Sequence, residues 1–258
     1  MRTRTGLVAA LLIGGAAALA LGLFPHVDLA VTRLLMSKDA FAFNAGWLLD
    51  GIRNGSVMVI VAVFTPAAVA LIFKILWPRG PLFLRGRAAV LIVSTFLIGP
   101  ILTANTLLKD NWGRPRPRDI VEFGGALAFL PWWDPRGACP TNCSFVAGEA
   151  SGAFWTISAA SVAPPQWRPL AYAGALAFGG FVGVMRIIFG GHFLSDVVLA
   201  GLFMFLIVWI AHGLLYRWSR ITDEGIERAL ARLGFALRRP FGSRAVTPAP
   251  ASEPPQHP

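Results

Sequence analysis

The sequence predicts an all-α, polytopic membrane protein with six transmembrane helices. Of its 258 residues, 55% are hydrophobic and only 14% are charged, whereas roughly 25% are charged in a typical soluble domain. The mean hydropathy is +0.62. Six apolar stretches with few or no charges are each near the roughly 20 residues that a helix needs to cross a bilayer. They lie at 6–24, 56–77, 88–108, 144–162, 170–189 and 193–216.

The first stretch, 6–24, follows a short basic start and contains the sequence Ala18-Leu19-Ala20, which resembles a signal-peptide cleavage site. Its apolar run is longer than the core of about 7–15 residues that is usual in signal peptides. We therefore predict an uncleaved anchor, with a cleaved signal peptide as the alternative. The following segment, 25–55, has balanced charge and modest amphipathic character, and we predict a loop along the membrane surface.

Basic residues are distributed unevenly over the connections. The connection at 78–87 holds three arginines and no acid, and both termini and the turn at 164–169 are also basic. By the positive-inside rule this side is cytoplasmic. The other side, which the connection at 109–143 and the turn before the sixth span share, then faces outward. The compact six-span form favours a bacterial inner membrane, with both termini cytoplasmic and the functional face in the periplasm.

After the last span, residues 222–239 predict an amphipathic helix, with acids near its start, arginines further on and leucines along one face. We expect it to lie on the inner leaflet. Residues 240–258 are rich in Pro, Ala and Ser and predict a disordered tail. The chain is thus divided into a membrane domain, 1–239, and a tail, 240–258.

The net charge of +10 does not indicate nucleic-acid binding, because the basic residues are spread over short loops and the tail. The two cysteines, Cys139 and Cys143, form neither a CxxC pair nor part of a His-rich tract, so we predict no metal site and no cofactor. Both lie on the predicted oxidising side. A disulfide is the first interpretation, and a buried pair of free thiols is the alternative.

A first cluster of chemistry-bearing residues lies at 185–196. If the run after the glycine pair is helical, His192 and Asp196 share one face, and the carboxylate can hold the imidazole in one tautomer. The other ring nitrogen is then free for chemistry. Arg186, across the turn, can bind phosphate or carboxylate through two parallel hydrogen bonds. The alternative, for this stretch alone, is a membrane-edge turn that collects three polar residues by chance.

A second cluster, at 109–118, begins with Lys109 and continues with Arg114, Arg116 and Arg118, which alternate with two prolines. Proline stiffens this segment and directs the guanidinium groups along an extended backbone. Positive charge is sparse on outward faces, so the density predicts an anionic ligand. The alternatives are a stripe that binds lipid headgroups and, for Lys109, a cation that offsets a helix dipole.

The third cluster opens the predicted fourth span. Small residues around Gly148 allow a ligand to approach backbone N–H groups at a helix start. Glu149 is the only acid between Asp134 and Asp196 and lies near an apolar boundary, which makes it a functional candidate. The alternative is a glutamate that satisfies the helix dipole.

Together these clusters resemble the type 2 phosphatidic acid phosphatase family of membrane lipid phosphatases, whose catalytic core is shared with vanadium-dependent haloperoxidases. The family's first motif, Lys-x6-Arg-Pro, and its third, Ser-Arg-x5-His-x3-Asp, occur here in order and with the family's spacing. The resemblance covers roughly residues 57–216. The matching residues are Lys109, Arg116, Pro117, Arg186, His192 and Asp196.

The chain departs from this family at two motifs. Met185 stands where the third motif has its leading serine. The second motif, Pro-Ser-Gly-His, is replaced by the residues at 146–149, so that Ala147 stands at the serine position and Glu149 at the histidine position. The family's histidine protonates the leaving oxygen, and Glu149 is therefore our candidate for that role.

The resemblance implies metal-independent hydrolysis of a phosphate ester in two steps. His192 would attack phosphorus and form a phosphohistidine that water cleaves, while Asp196 orients the imidazole. Cations would neutralise the phosphate oxygens as charge shifts in the transition state. The residues that the resemblance assigns to the phosphate are Lys109, Arg116, Arg186 and, through its backbone N–H, Gly148.

The substrate that the resemblance implies is a phosphorylated membrane lipid within the bilayer. Lipid A phosphates, undecaprenyl pyrophosphate, phosphatidylglycerol phosphate and phosphatidic acid all fit. Two other classes stay open: a catalytically weakened relative that binds phospholipid headgroups or partners, and a transporter whose basic residues line an anion path. A haloperoxidase is disfavoured because a six-span hydrophobic chain suits a lipid substrate. The sequence leaves the oligomeric state undetermined.

Overall fold

A computed structural model describes residues 4–36 and 46–238. In this part of the chain the regular elements are helices, apart from one isolated β-bridge between Ile120 and Leu127. The predicted all-α polytopic class is confirmed. The helices are α1 (Arg4–Leu23), α2 (His26–Leu35), α3 (Gly46–Leu76), α4 (Gly86–Phe96), α5 (Gly148–Trp155), α6 (Ile157–Val162), α7 (Arg168–Ile188), α8 (Leu194–Tyr216) and α9 (Asp223–Arg238).

Five helical segments of the described chain are long and apolar enough to cross a membrane. The predicted fourth span instead forms two short helices, α5 and α6, which meet at Thr156. The Thr156 hydroxyl donates to the carbonyl oxygen of Ala153 at 2.7 Å. The number six therefore stays a prediction. The five segments are Gly6–Leu23, Asp50–Leu76, Gly86–Leu108, Arg168–Ile188 and Leu194–Tyr216.

The prediction of a loop at 25–55 is wrong for the residues that the structure describes. Residues His26–Leu35 form α2, and α3 starts at Gly46, ten residues before the predicted start of the second span at 56. Helix α2 buries Asp28 and Thr32 completely. Tertiary contacts at these polar positions stabilise a helix that the weak hydrophobic pattern did not predict. The part of the predicted loop at 37–45 lies outside the described residues.

Glycines on α7 allow the central helices to pack closely. A Cβ atom at Gly179 would collide with the ring of Phe154 on α5, and one at Gly183 would collide with Val197 on α8. Small residues at helix interfaces permit such close backbone approach in membrane proteins. Helix α5 therefore lies in the interior of the bundle, where it can present its first turn to α7 and α8.

Helix α4 continues as a π-helix over Leu97–Leu108. The side-chain amide of Asn105 donates to the carbonyl oxygen of Pro100 at 2.7 Å, and the Lys109 N–H donates to Ala104 at 3.1 Å. Both bonds reach back five residues, so the wider helix sets the direction of its end. Lys109 follows directly and points its amine toward the start of α5, as its contact with Gly148 indicates.

Helix α9, Asp223–Arg238, corresponds to the amphipathic helix predicted at 222–239. It is held to the bundle by two ion pairs, Lys74 to Glu227 at 2.8 Å and Arg87 to Asp223 at 3.0 Å. Lys74 lies in the last turn of α3. A location of α9 on the inner leaflet remains a prediction, and the tail at 240–258 lies outside the described residues.

Candidate active site

The three sequence clusters meet at one end of the bundle. Glu149, in the first turn of α5, lies 3.4 Å from Arg186 at the end of α7. The Ser144 carbonyl oxygen, before α5, lies 2.6 Å from Nδ1 of His192 in the α7–α8 turn. A Cβ atom at Gly148 would lie 3.1 Å from the Lys109 amine. Helix packing therefore assembles groups that are far apart in the sequence.

His192 is buried, with 1% of its surface exposed. Because Nδ1 faces a carbonyl oxygen, which only accepts, Nδ1 must donate its proton to Ser144. The other ring nitrogen, Nε2, then has a free lone pair. Burial lowers the pKa of His192 to about 4, with Asp196 opposing and the charges of Lys109 and Arg186 adding to the decrease. The ring is thus neutral at physiological pH, as a nucleophile requires.

Asp196 contacts His192 less directly than we predicted. Its Oδ2 lies 3.8 Å from Nδ1, outside hydrogen-bond distance, and instead accepts from the Ser144 hydroxyl at 2.5 Å and from the Phe193 N–H at 2.8 Å. The prediction that His192 and Asp196 share one face of a helix is wrong, because α8 begins at Leu194 and His192 precedes it. Asp196 therefore fixes Ser144, and the Ser144 carbonyl fixes the ring.

Arg114 has a different location from the one its sequence pattern indicated. The pattern grouped it with Arg116 and Arg118 as a segment that binds an anionic ligand, but Arg114 is fully buried. Its guanidinium pairs with Asp28 at 2.8 Å and with Asp196 at 2.5 Å. Because its guanidinium forms ion pairs with both carboxylates, Arg114 is not free to bind phosphate. No feature of the sequence around Asp28 indicated that it would pair with Arg114.

Arg116 remains near the predicted anion site. Its guanidinium donates to the carbonyl oxygen of Asn142 at 2.6 Å and to the side-chain oxygen of the same residue at 2.7 Å. Burial, followed by the charges of Arg118 and Arg186, lowers the pKa of Arg116. Mutual repulsion of neighbouring cations of this kind is relieved by a bound anion.

Lys109 shows the same electrostatic effect more clearly. Burial lowers its pKa to about 8, the charges of Arg116 and Arg186 contribute in the same direction, and Glu149 opposes them. Close packing also explains the glycine beside it, because a Cβ atom at Gly148 would lie 2.5 Å from Oδ1 of Asn105. The amine thus lies over a backbone segment that admits no larger residue without rearrangement.

Glu149 is paired with two arginines. One carboxylate oxygen lies 3.4 Å from Arg186, and the other lies 3.3 Å from Arg53 on α3. Its side chain is 28% exposed, so solvent or a ligand can reach it. Sequence reasoning missed Arg53, which lies in the segment predicted as a surface loop. Its position at the polar start of an apolar helix is the one signal that could have indicated a role at the membrane face.

A cavity of about 170 Å³ lies beside these groups. Arg53, Glu149 and Arg186 line its polar part together with Asp50 and Ser56, and Arg118 adds a further cation. The remaining wall contains apolar side chains of α7. This combination suits an amphiphile whose charged end lies at the site while its apolar part remains against the helices. The apolar lining from α7 and the turn after it comprises Val182, Met185 and Phe189.

The connection at 109–143 is anchored next to the site. Cys139 and Cys143 are joined by a disulfide, as in the first of the two interpretations. The N–H of Cys143 donates to the carbonyl oxygen of Lys109, and the N–H of Cys139 donates to that of Gly113, both at 3.0 Å. The disulfide loop thus holds the segment that carries Lys109 and Arg116. Within residues 4–36 and 46–238, no cluster of three or more His, Cys, Asp or Glu side chains could hold a metal ion.

A neutral, buried histidine beside lysine and arginine side chains, at the face of an apolar helical bundle, defines a class: a multi-pass membrane enzyme that hydrolyses phosphate esters. A family model described as the PAP2 superfamily matches residues 87–220. The chain belongs to this family, which confirms the resemblance found in the sequence. It is a membrane lipid phosphatase of the PAP2 type from a bacterial inner membrane.

Three curated relatives share substantial identity with the chain, and each is named lipid A 4'-phosphatase. The protein of Francisella tularensis subsp. novicida is 35% identical over 202 residues, which cover 76% of this chain and 89% of that protein. The protein of Rhizobium leguminosarum is 41% identical over 52% of this chain and 60% of its own length. For Rhizobium etli the identity is 41%, over 46% of each chain. No solved structure matches the chain.

Proposed function

We propose that this protein removes a phosphate monoester from lipid A through a phosphohistidine on His192. The observation that carries the proposal is the bond from His192 Nδ1 to the Ser144 carbonyl oxygen, which leaves the Nε2 lone pair free on a ring that the charges of Lys109 and Arg186 influence. The names of the three relatives support lipid A over the other phosphorylated lipids that fit the site.

In the first step, Nε2 of His192 attacks phosphorus, an N–P bond forms, and the bond from phosphorus to the lipid oxygen breaks. The leaving oxygen takes a proton from Glu149. In the second step, Glu149 accepts a proton from water, the resulting hydroxide attacks phosphorus, and the N–P bond breaks. Inorganic phosphate leaves, and the imidazole returns to its neutral form. One residue can serve as acid and then as base because the second step reverses its protonation.

The cations act on the charge of the phosphate. Lys109, Arg116 and Arg186 would bind its non-bridging oxygens, which carry the negative charge in the transition state. Preorganised cations in a site shielded from water stabilise such charge more strongly than water does. A bound dianion would also favour the charged form of Lys109, whose pKa burial lowers to about 8.

The entry of phosphate competes with the ion pair between Glu149 and Arg186. A phosphate dianion at Arg186 repels an ionised carboxylate nearby and favours its protonated form. The acid that the first step requires is therefore produced by substrate binding itself. Arg53, which pairs with the other oxygen of Glu149, would hold the carboxyl group near the reacting atoms during this exchange.

The substrate assignment is tested by phosphate release from purified protein with a panel of lipids. We expect the highest kcat/KM for lipid A, and lower values for phosphatidic acid, phosphatidylglycerol phosphate and undecaprenyl pyrophosphate. His192→Asn protein, prepared in the same way, provides the background. A preference for the pyrophosphate, or for a glycerol-based lipid, would contradict the assignment while leaving the mechanism intact.

A weakened, headgroup-binding relative is the second candidate, favoured by Glu149 at the position where the family has histidine. It predicts saturable binding of lipid A vesicles without phosphate release above the His192→Asn background. The same panel decides between the two candidates, because measurable turnover excludes a purely binding role.

We also propose that the site faces the periplasm and that both termini are cytoplasmic. Single cysteines at two exposed positions, Phe83→Cys and Ala126→Cys, in a cysteine-free background test this. An impermeant maleimide should label intact cells at 126 and not at 83, and permeabilised cells at both. Labelling at 83 alone in intact cells would reverse the orientation. Phosphatase activity of the cysteine-free background shows that loss of the disulfide has not disrupted the fold.

A further inference from the structure

Asp28 lies outside every motif of the family, yet the structure buries it at the base of the site. Its side chain is 1% exposed. One oxygen accepts from the Ser195 N–H at 2.8 Å, and the other accepts from the Ser195 hydroxyl at 2.5 Å and from Arg114 at 2.8 Å. A carboxylate buried with this number of donors has one orientation. It therefore fixes the position of Ser195 relative to α2.

Ser195 is in the first turn of α8, between His192 and the body of the helix. Its backbone N–H is one of those that a helix start leaves without an intrahelical partner, and Asp28 supplies that partner. The hydroxyl of Ser195 also accepts from Arg114 at 2.8 Å. Asp28 and Arg114 thus hold the backbone N–H and the hydroxyl of a residue in the first turn of the helix that follows His192.

A continuous series of short bonds leads from Asp28 to the imidazole. Asp28 pairs with Arg114 at 2.8 Å, and Arg114 pairs with Asp196 at 2.5 Å. Asp196 accepts from the Ser144 hydroxyl at 2.5 Å, and the Ser144 carbonyl accepts from His192 at 2.6 Å. Each link joins groups on different segments, so displacement of Asp28 is transmitted to the ring.

The charges in this series are interdependent. Two carboxylates, Asp28 and Asp196, share one guanidinium, Arg114, and all three are buried. Arg114 also donates through Nε to the carbonyl oxygen of Leu130 at 2.9 Å. Such a buried ionic group is weak evidence for stability, since burial costs much of what the ion pairs contribute, whereas loss of one partner leaves a buried charge unmatched. A role in placing neighbouring groups is the better explanation of its presence.

We propose that Asp28 is a positioning residue for the nucleophile: through Arg114 and Ser195 it fixes the first turn of α8 and thereby the attack geometry of His192. The inference rests on the proposed function, in which His192 forms the phosphoenzyme. It assigns a catalytic consequence to α2, a helix whose described hydrogen bonds and ion pairs include none to Lys109, Arg116, Arg186 or Glu149.

The test compares Asp28→Asn with the wild type in the full-length protein. Asparagine has nearly the same shape, but it removes the charge and turns one acceptor into a donor that must face either the Arg114 guanidinium or the Ser195 N–H. We expect kcat to fall about a hundredfold, because displacement of a reacting group by about 1 Å costs this much. KM should change less than about twofold, since Lys109, Arg116 and Arg186 keep their positions. Ser195→Ala, which removes one link and keeps the backbone bond, should lose less.

Asp134→Asn is the matched control. Asp134 is also a buried carboxylate, 4% exposed, and it pairs with Arg136 at 2.7 Å on the same outward connection. It makes no contact with the series from Asp28 to His192 among the described hydrogen bonds. Its replacement should leave kcat per folded molecule unchanged. Folded protein is quantified for every variant by thermal unfolding and gel filtration before rates are compared.

Wild-type kcat in folded Asp28→Asn, or a loss confined to KM, would overturn the inference. If Asp28→Asn does not fold, Ser195→Ala carries the test, and an unchanged kcat in that variant overturns it equally. His192→Asn is measured in parallel to separate the two levels of the argument. Full activity there would refute the proposed nucleophile itself, whereas loss in His192→Asn with none in the Asp28 series would refute the positioning role alone.

Discussion

Replacing His192 by asparagine should abolish phosphate release, with a decrease in kcat of about four orders of magnitude or more. Asparagine is polar and smaller than histidine, so the buried site can accommodate it, but its amide nitrogen has no lone pair available to attack phosphorus. The measurement is phosphate release from lipid A, together with acid-labile labelled phosphoenzyme trapped during turnover of the wild type. The variant should form none.

The matched control is His26→Asn, since His26 is exposed at the start of α2 and no ion pair or hydrogen bond of the site depends on its side chain. This variant should retain wild-type rates. Orthovanadate should inhibit the wild type because it adopts the five-coordinate geometry of the transition state, and chelators should have little effect. Full turnover by His192→Asn would contradict the phosphohistidine mechanism.

Asp196→Asn should leave a small residual rate, for a reason that differs from the one the sequence indicated. The sequence predicted direct control of the imidazole tautomer. In the structure, Nδ1 of His192 donates its proton to the Ser144 carbonyl oxygen, and Asp196 accepts hydrogen bonds from Ser144 and Arg114. Loss of the Asp196 charge would displace the ring without removing its proton acceptor.

The second large effect is expected for Glu149→Gln, and it should depend on the leaving group. Glutamine cannot deliver a proton, so hydrolysis of lipid A, whose alkoxide is a poor leaving group, should slow by about a hundredfold or more. An activated aryl phosphate leaves without protonation, and its first step should change by less than about threefold. The measurement is the single-turnover rate of the first step, from rapid-quench phosphoenzyme formation, for both substrates in the wild type, Glu149→Gln and Glu149→His.

The ion pairs of Glu149 add a further expectation for this variant. Glutamine removes the negative charge that now pairs with Arg186 and Arg53, so both arginines become more available to phosphate. KM should therefore fall while kcat falls for the lipid. Glu149→His should recover part of the lipid rate, because histidine can again transfer a proton. Equal small losses on both substrates would identify Glu149 as a helix-capping residue instead.

Glu227→Gln serves as the control for loss of an ion-paired glutamate, since Glu227 pairs with Lys74 at the far end of α3. It should change neither substrate's rate. A Glu149→Gln protein with the wild-type rate on lipid A would show that another group supplies the proton.

The sequence predicted the class and the main participants of the site for identifiable physical reasons. Apolar runs of bilayer length define membrane helices because unpaired backbone groups are so costly in lipid. Ionisable residues at the ends of such runs are functional candidates for the same reason. Lys109, Arg186 and His192 all occupy such ends, so their approximate location at one face followed from the spacing of spans and turns.

The assignment of roles within the arginine-rich segment needed the tertiary structure. Arg114 and Arg116 are two residues apart in a Pro-rich segment, and nothing local distinguishes them. Extended backbone directs alternate side chains in similar directions, but Arg114 is drawn into the core by Asp28 and Asp196, while Arg116 stays with Asn142 near the anion site. The deciding partner, Asp28, is 86 residues away in the chain.

The sequence by itself therefore predicted a polytopic helical protein with a histidine, a lysine and arginines near one membrane face, and the resemblance of its motifs to a known family implied an enzyme. Only the tertiary structure decided which acid contacts which base. It buried Asp28 with Arg114, placed Ser144 between Asp196 and His192, and paired Glu149 with Arg53. Such contacts depend on how helices that are distant in the sequence pack together. The pattern of residues along the chain does not specify that packing.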